Sequence, residues 1–221
     1  LAEAGAFEAR ASGTPSPKTI GPSGAVLGVF ARTDATRGVW RAPAGIEATL
    51  KGATPVFPLN DAESRRLGPR AINAIRSFAS HGAVIWGART LAGTEFFASE
   101  WKYVPVRRFA HWIVASIRRD LKIWRPDLTP PARPTPLAVR LQTRIENFLV
   151  ELFRRGAFAG ATANDSFYVR VAEVTVDAAI DSGADLFDIE IGFAPLRPAE
   201  FIRLDIHQIL VQSGQRDDPD S

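Results

Sequence analysis

The chain has 221 residues, 46% hydrophobic and 23% charged, a composition close to the globular average that excludes a wholly disordered chain. It contains no cysteine, which excludes a disulfide framework, a thiol nucleophile and a cysteine-ligated metal site. The sequence pI is about 9.7, but the formal net charge is only +3, so charge alone does not indicate a polyanion partner.

Hydrophobic segments are short throughout the sequence. None has the roughly 18 uninterrupted apolar residues of a membrane span, and the first ten residues lack the pattern of a signal peptide. We therefore expect no signal peptide and no membrane insertion.

The first part of the chain mixes turn signals with short apolar runs. Residues 1–24 are rich in Ala, Gly, Ser and Pro and predict an irregular lead-in to a core domain over residues 25–200. Asn60, ahead of Asp61 and Glu63, predicts a helix N-cap; the helical spacing continues to Ile75, with an interruption at Gly68-Pro69. Three short apolar runs predict buried strands, namely 25–30, 83–86 and 101–104.

Two amphipathic helices follow, separated by a proline-rich loop over residues 125–136. The first has apolar residues at helical spacing and arginines near its ends: Val106, Phe109, Ile113, Ile117, with Arg107, Arg108, Arg118, Arg119. The second, over residues 137–155, has one apolar face made of Leu141, Ile145, Phe148, Leu149 and Leu152. Beside that face runs a polar stripe of Arg140, Arg144, Asn147, Glu151 and Arg154.

The final third of the chain is strand-like. Strands are predicted over 167–171, 186–193 and 201–211, and apolar and polar residues alternate in the last of them. Residues 201–221 are predicted to form a terminal strand and a polar tail. The order of elements predicts an α+β (mixed α/β) fold with helices packed on a mixed β-sheet.

Catalytic and metal-binding motifs are absent from the sequence. The chain has no nucleophile elbow, dinucleotide fingerprint, phosphate-binding loop or zinc-protease motif, and His81, His111 and His207 lie far apart. We therefore expect no catalytic residue, no metal and no cofactor. The chain has one cluster of acidic residues, which favours a solvated or partner-facing edge over a calcium or acid–base site; it comprises Asp177, Asp181, Asp185, Asp188 and Glu190.

Double arginines at 65–66, 107–108, 118–119 and 154–155 leave a basic nucleic-acid- or protein-binding adaptor as the alternative function.

Four blocks of sequence, taken together, resemble the carboxy-terminal half of the contractile tail sheath proteins of phages and related injection systems. The first is RTD at 32–34 with RGVWRAPA at 37–44, and the second is AINAIR at 71–76 with VIWGARTL at 84–91. The third is EWKYVPVRR at 100–108. The fourth extends from LFRRGAF at 152–158 through GFAPLRPAEFI at 192–202.

The resemblance implies a structural subunit that polymerises helically around an inner tube and contracts to drive that tube through a target envelope. The implied partners are other copies of the chain, the inner tube protein, and baseplate and terminator or cap proteins, with no nucleic acid. The implied location is a particle assembled in the bacterial cytoplasm, a virion or a released contractile particle.

Two sets of residues are the candidate interaction sites. The terminal strand is expected to link subunits, with an edge strand of the chain's own sheet as the alternative; it consists of Phe201, Ile202, Arg203, Leu204, Asp205, Ile206, His207, Gln208, Ile209, Leu210 and Val211. The basic stripe of the second helix is expected to face the inner tube through Arg140, Arg144, Arg154 and Arg155.

Overall fold

The computed structural model describes residues 2–4, 7–9, 18–93, 99–124, 136–174, 184–196 and 202–211. The predicted α+β fold is confirmed. The chain forms two compact units, Leu1–Trp112 and Ile113–Ser221. This division falls inside the predicted core domain, whose boundaries stay predictions.

Five α-helices and ten strands are present in the described part of the chain. The helices are α1 (Ser23–Arg37), α2 (Asp61–Leu67), α3 (Val104–Ile123), α4 (Leu137–Arg154) and α5 (Ala163–Ser166). The strands of the first unit are β1 (Ala2–Ala4), β2 (Phe7–Ala9), β3 (Lys18–Ile20), β4 (Thr49–Leu50), β5 (Ala53–Pro55), β6 (Ile72–Phe78) and β7 (Gly82–Trp86). Those of the second unit are β8 (Phe167–Val174), β9 (Ala184–Phe193) and β10 (Ile202–Val211).

The first unit contains two small sheets. One has the order β1-β6-β7-β4, with β1 parallel to β6 and the other neighbours antiparallel; the second has the antiparallel order β3-β2-β5. Strand β7 confirms the strand predicted at 83–86. Its buried Ile85 shares a core with Ile75 of β6 and with Phe30 of α1.

The strand predicted over residues 25–30 is wrong, because these residues lie in α1. Val26, Val29, Phe30 and Thr33 are buried, a spacing that places them on one face of a helix. Leu27 lies on the other side and is 65% exposed. An apolar run this short fits a buried strand and a helix segment equally well, and here the core of the first unit selects the helix.

The irregular lead-in is also wrong for part of its length. Residues 2–4, 7–9 and 18–20 are strands β1, β2 and β3. Strand β1 pairs with β6 and β2 pairs with β5, which are both far along the chain, while β2 also pairs with the nearby β3. Local turn signals do not report such long-range pairing.

The predicted N-cap at Asn60 is confirmed as a capping box. The Asn60 side chain accepts a hydrogen bond from the Glu63 amide at 2.9 Å, and the Glu63 carboxylate accepts one from the Asn60 amide at 2.9 Å. The predicted interruption at Gly68-Pro69 is confirmed too, because a 3-10 turn follows α2 there. Ile75 lies beyond it in β6, so the helical spacing that reaches Ile75 does not indicate helix.

The strand predicted over residues 101–104 is wrong. A 3-10 turn spans Glu100–Lys102, and α3 begins at Val104. The Ser99 side chain accepts a hydrogen bond from the Trp101 amide and caps this turn. Tyr103 makes a single bridge with Arg89, too little for a strand.

The second unit contains one antiparallel sheet of order β10-β9-β8, with α4 against β8. Both predicted helices are confirmed, and Leu141, Ile145, Leu149 and Leu152 of α4 are buried. The three predicted strands are confirmed as β8, β9 and β10. The proline-rich loop lies outside the described residues from 125 to 135.

Candidate functional site

The candidate linking segment is strand β10. It pairs antiparallel with β9 along its whole length, from Ile202 opposite Phe193 to Val211 opposite Ala184. In the described sheet β10 has β9 as its only neighbour, so its other side is an edge. Phe201 and residues 212–221 lie outside the described residues.

Strand β9, the partner of β10, has one fully buried face. Phe187, Ile189, Ile191 and Phe193 are all 1% exposed or less. Asp188 and Glu190 alternate with them and are half-buried, which is the period-2 pattern of a strand with one face on a core. The register pairs Asp205 of β10 with Glu190. The core therefore fixes the register of β9 and, through it, that of β10.

The polar face of β9 carries a hydrogen-bonded cluster. The Tyr168 hydroxyl donates to the Glu190 carboxylate at 2.8 Å, and the Arg170 guanidinium lies 3.8 Å from the same carboxylate and 5.1 Å from the Tyr168 ring centroid. The Tyr168 ring lies directly over Gly192, where an added Cβ would come within 2.0 Å of Cε1. Glycine at this position is what allows the ring to reach Glu190.

The predicted acidic edge is only partly described. Asp188 and Glu190 lie on β9, the side chain of Asp185 is outside the described set, and Asp177 and Asp181 lie wholly outside it. Glu190 is engaged with Tyr168 and Arg170, which fits a structural role. Among the described residues, no group of three or more His, Asp or Glu side chains is arranged to bind a metal ion.

The arginine stripe of α4 is less uniform than the sequence suggests. Arg144 donates from Nε to Asp120 Oδ2 at 2.6 Å and from Nη2 to Asp120 Oδ1 at 2.8 Å, a bidentate ion pair between α4 and α3. Its guanidinium also lies 5.6 Å from the Trp124 ring centroid. Hydrogen bonding to Asp120, reinforced by its charge, raises the pKa of Arg144 above the ordinary value. Arg144 is thus committed to its own chain.

The other three predicted arginines differ in their surroundings. Arg154 lies 3.7 Å from Glu151 on the same helix, an exposed pair that contributes about 0–1 kcal/mol. Arg155 is exposed and Arg140 is half-buried. Arg140 and Arg154 are almost four turns apart, or about 21 Å along the axis, so the four arginines do not form one cluster.

Asp120, the partner of Arg144, is a residue of the candidate site that sequence reasoning missed. It is the single carboxylate of α3, placed between Arg119 and Lys122. The one signal available in the sequence was its position as a lone carboxylate among the cations of α3. Its partner on α4 is 24 residues away in sequence, so spacing alone could not identify it.

Several members of the double-arginine pairs contact their own chain. Arg108 forms a bidentate ion pair with Asp34. Arg107 lies 4.7 Å from the Trp101 ring centroid, and Arg65 donates to the Asp61 carbonyl at 3.2 Å. These contacts favour structural roles for the three side chains over nucleic-acid binding.

Comparison with known proteins identifies sheath structures as similar to this chain. The sheath of an extracellular contractile injection system (PVC), in its contracted state, is 33% identical with a TM-score of 0.71, over 91% of this chain and 54% of that one. The helical sheath of the anti-feeding prophage in its contracted state is also 33% identical, with a TM-score of 0.68 and the same coverage. No protein-family model matches the sequence, and no match is found among curated proteins.

A crystal structure of a sheath tail protein from Desulfitobacterium hafniense shares the fold at 14% identity, with a TM-score of 0.64, over 92% of this chain and 44% of that one. The resemblance to contractile sheath proteins is therefore confirmed over most of the chain. The chain spans about half the length of these sheath proteins. No helix in the described ranges is both long and apolar enough to cross a membrane.

Proposed function

We propose that the chain is a structural subunit of a contractile sheath, which polymerises helically around an inner tube and contracts to drive that tube through a target envelope. The observation that supports this function is the 33% identity to two contracted sheath structures over 91% of the chain. The function requires no catalytic site, metal or cofactor.

The proposed partners are further copies of the chain, the inner tube protein, and baseplate and terminator or cap proteins. A baseplate structure of the anti-feeding prophage, 34% identical over 87% of this chain, supports a particle with several components. The proposed location is accordingly a particle assembled in the bacterial cytoplasm, a virion or a released contractile particle.

Residues 201–211 are proposed to link subunits by exchanging β10 between neighbouring copies. Strand β10 pairs with β9 through a backbone ladder over its whole length, and the same ladder would form if β10 came from another copy. Main-chain pairing between copies holds neighbours together while rigid units rotate, and contraction without disassembly requires this combination.

Disulfide trapping tests the exchange on a clean background, because the chain has no cysteine. Asp188→Cys with His207→Cys places two thiols at directly opposed positions of β9 and β10. In an exchanged assembly, oxidation yields a ladder of covalently linked chains on a non-reducing gel. The matched control pairs Asp188→Cys with Gln208→Cys, which is one residue out of register and on the opposite face.

Negative-stain microscopy provides the independent measurement. Tubules with a cogwheel cross-section, together with the ladder, are the expected result. Monomers that form only the intrachain disulfide would refute the exchange. Monomers that shift labelled DNA would support the adaptor function instead.

The basic stripe of α4, which comprises Arg140, Arg144, Arg154 and Arg155, is proposed to face the inner tube, with Arg144 adding positive charge to that face while it stays paired with Asp120. Exposed ion pairs contribute only about 0–1 kcal/mol each, so attraction to an acidic tube would come from repetition along the assembly. Individually weak contacts also permit release during contraction.

A further inference from the structure

Helix α2 contacts β6 without adding a buried residue to the first unit. All seven of its residues are described; Ser64 and Leu67 are half-buried and the other five are exposed. A helix of two turns is too short to persist without tertiary support. Release of α2 from the sheet and loss of its helical structure are therefore a single event.

The two ends of α2 are held differently. Beyond its carboxyl end, Arg89 Nη1 donates to the Gly68 carbonyl at 2.9 Å, and the Ala71 amide donates to the same carbonyl at 3.0 Å. Ala71 is 0% exposed. Before the amino end of α2, residues 56–58 are all exposed. The carboxyl end is thus anchored beside β6, whereas the amino end depends on the contacts of its first turn.

An ion pair joins that first turn to β6. Arg76 Nη2 donates to Asp61 Oδ1 at 2.5 Å; the Asp61 side chain is 74% exposed, and that of Arg76 is 11% exposed. The Arg76 guanidinium lies 4.7 Å from the Phe78 ring centroid and 5.6 Å from the Trp86 ring centroid. These two rings, from β6 and β7, have their centroids 5.0 Å apart. The sheet itself therefore positions the guanidinium, and α2 supplies only the carboxylate.

We propose that α2 is a releasable latch, which detaches from Arg76 and re-forms while β6 and β7 stay folded. In the closed form, which predominates, Asp61 pairs with Arg76. In the open form α2 is unfolded and water replaces Asp61 at the guanidinium. The latch is a property of the single chain, so it goes beyond the proposed sheath function and does not depend on it.

The hydrogen bonding of Arg76 keeps the free energies of the two forms close. Its Nε is buried and has no hydrogen-bond partner among the described residues. A buried N–H without an acceptor carries a desolvation cost, which offsets part of the gain from the ion pair in the closed form. Because the rings restrict Arg76 in both forms, its side chain loses little freedom when the pair re-forms. Opening is therefore cheap, and closing needs no search by the arginine.

Hydrogen–deuterium exchange of the full chain, resolved by mass spectrometry of peptides, measures the latch. Amides of residues 64–70 should exchange at least about a hundredfold faster than those of 73–78 in the same sample, because the first group needs only local opening. Equal protection of the two segments would overturn the proposal, since α2 would then open only with the whole unit.

A double-mutant cycle tests the ion pair as the fastening. Asp61→Asn and Arg76→Met should each accelerate exchange of α2 by about three- to tenfold and leave β7 within about twofold. Asp61→Asn should have a clearly smaller effect in the Arg76→Met background, and strictly additive effects would refute the pairing. The matched control is Arg41→Met, which removes an exposed cation of the first unit and should leave α2 within about twofold.

Salt supplies a readout that does not depend on the fold of Arg76→Met. Raising sodium chloride from about 0.05 M to about 1 M should speed exchange of α2 about two- to threefold, relative to β6, in the wild-type chain. The same change should have no such effect in Asp61→Asn, whose exposed substitution leaves the core intact. An equal salt effect in both chains, or acceleration of β6 together with α2, would overturn the latch.

Discussion

Removal of the Asn73 side chain should lower the stability of the first unit through the loss of two defined hydrogen bonds. It is 2% exposed, its Nδ2 donates to the Arg89 carbonyl at 2.8 Å, and its Oδ1 accepts from the Arg89 amide at 2.8 Å. These two bonds attach the segment after β7 to β6. Asn73→Ala removes both at once from a part-buried backbone. Each bond contributes about 1 kcal/mol, and the Arg89 amide and carbonyl lose their bonds to Asn73 while they stay part-buried. The expected loss in the free energy of unfolding is ~2–3 kcal/mol.

Urea unfolding followed by tryptophan fluorescence measures this loss, and a thermal scan should show a decrease of roughly 5–10 °C. The matched control is Ser77→Ala, because Ser77 is exposed on the same strand and should change stability by less than about 0.5 kcal/mol. A change in Asn73→Ala no larger than in this control would refute the reasoning.

The variant Asn73→Asp keeps an acceptor for the Arg89 amide but replaces the donor with a second oxygen facing the Arg89 carbonyl. Burial and this carbonyl both disfavour the charged form, so the folded-state pKa of the introduced carboxyl is raised. Its destabilisation should therefore be largest at neutral pH and should shrink as the pH falls and the carboxyl gains a proton that it can donate. A destabilisation independent of pH between about 4 and 8 would contradict this account.

Three further changes test other parts of the fold. Ile191→Ala removes a side chain that is 0% exposed in the core of the second unit, and should cost about 2–5 kcal/mol in urea unfolding; a cost below 1 kcal/mol would contradict its burial. Asn60→Ala removes the capping box of α2 and should cost about 1 kcal/mol by thermal unfolding, and an unchanged midpoint would show that the cap adds nothing. Gly192→Ala should displace the Tyr168 ring and destabilise the chain, and Tyr168→Ala should relieve most of that added cost; strictly additive effects in a double-mutant cycle would contradict the contact.

The elements that the sequence predicts correctly are those with long and regular periodicity. Helices α3 and α4 have 20 and 18 residues, enough for several repeats of the apolar spacing. The strand predicted over residues 25–30 is wrong because six apolar residues in succession do not distinguish the period of a strand from that of a helix. Strands β1 and β2 were not predicted because each is three residues long and depends on a partner far away in the sequence.

For the candidate site, too, the sequence predicts the elements but not the contacts between them. The alternation in residues 202–207 predicts the strand β10, but its pairing with β9 depends on the three-dimensional arrangement. Likewise, helical spacing predicts the basic stripe of α4. Helical spacing does not predict the ion pair between Arg144 and Asp120, because the carboxylate lies on another helix. Contacts between residues such as Asp34 and Arg108, 74 positions apart, leave no trace in a local pattern.

The pairing of β10 with its own β9 has a kinetic consequence if the strand is exchanged during assembly. A subunit whose own β10 already pairs with β9 has no vacant place on β9 for the β10 of another copy, so free subunits can accumulate without exchanging strands. Each addition must first release a ten-residue strand, and association that requires such a conformational change is slow. Growth of the assembly should then begin after a lag. Preformed assemblies with an unpaired β9 at one end should abolish that lag, as seeds do in crystallisation. The timing of assembly would therefore depend on the component that supplies the first unpaired β9.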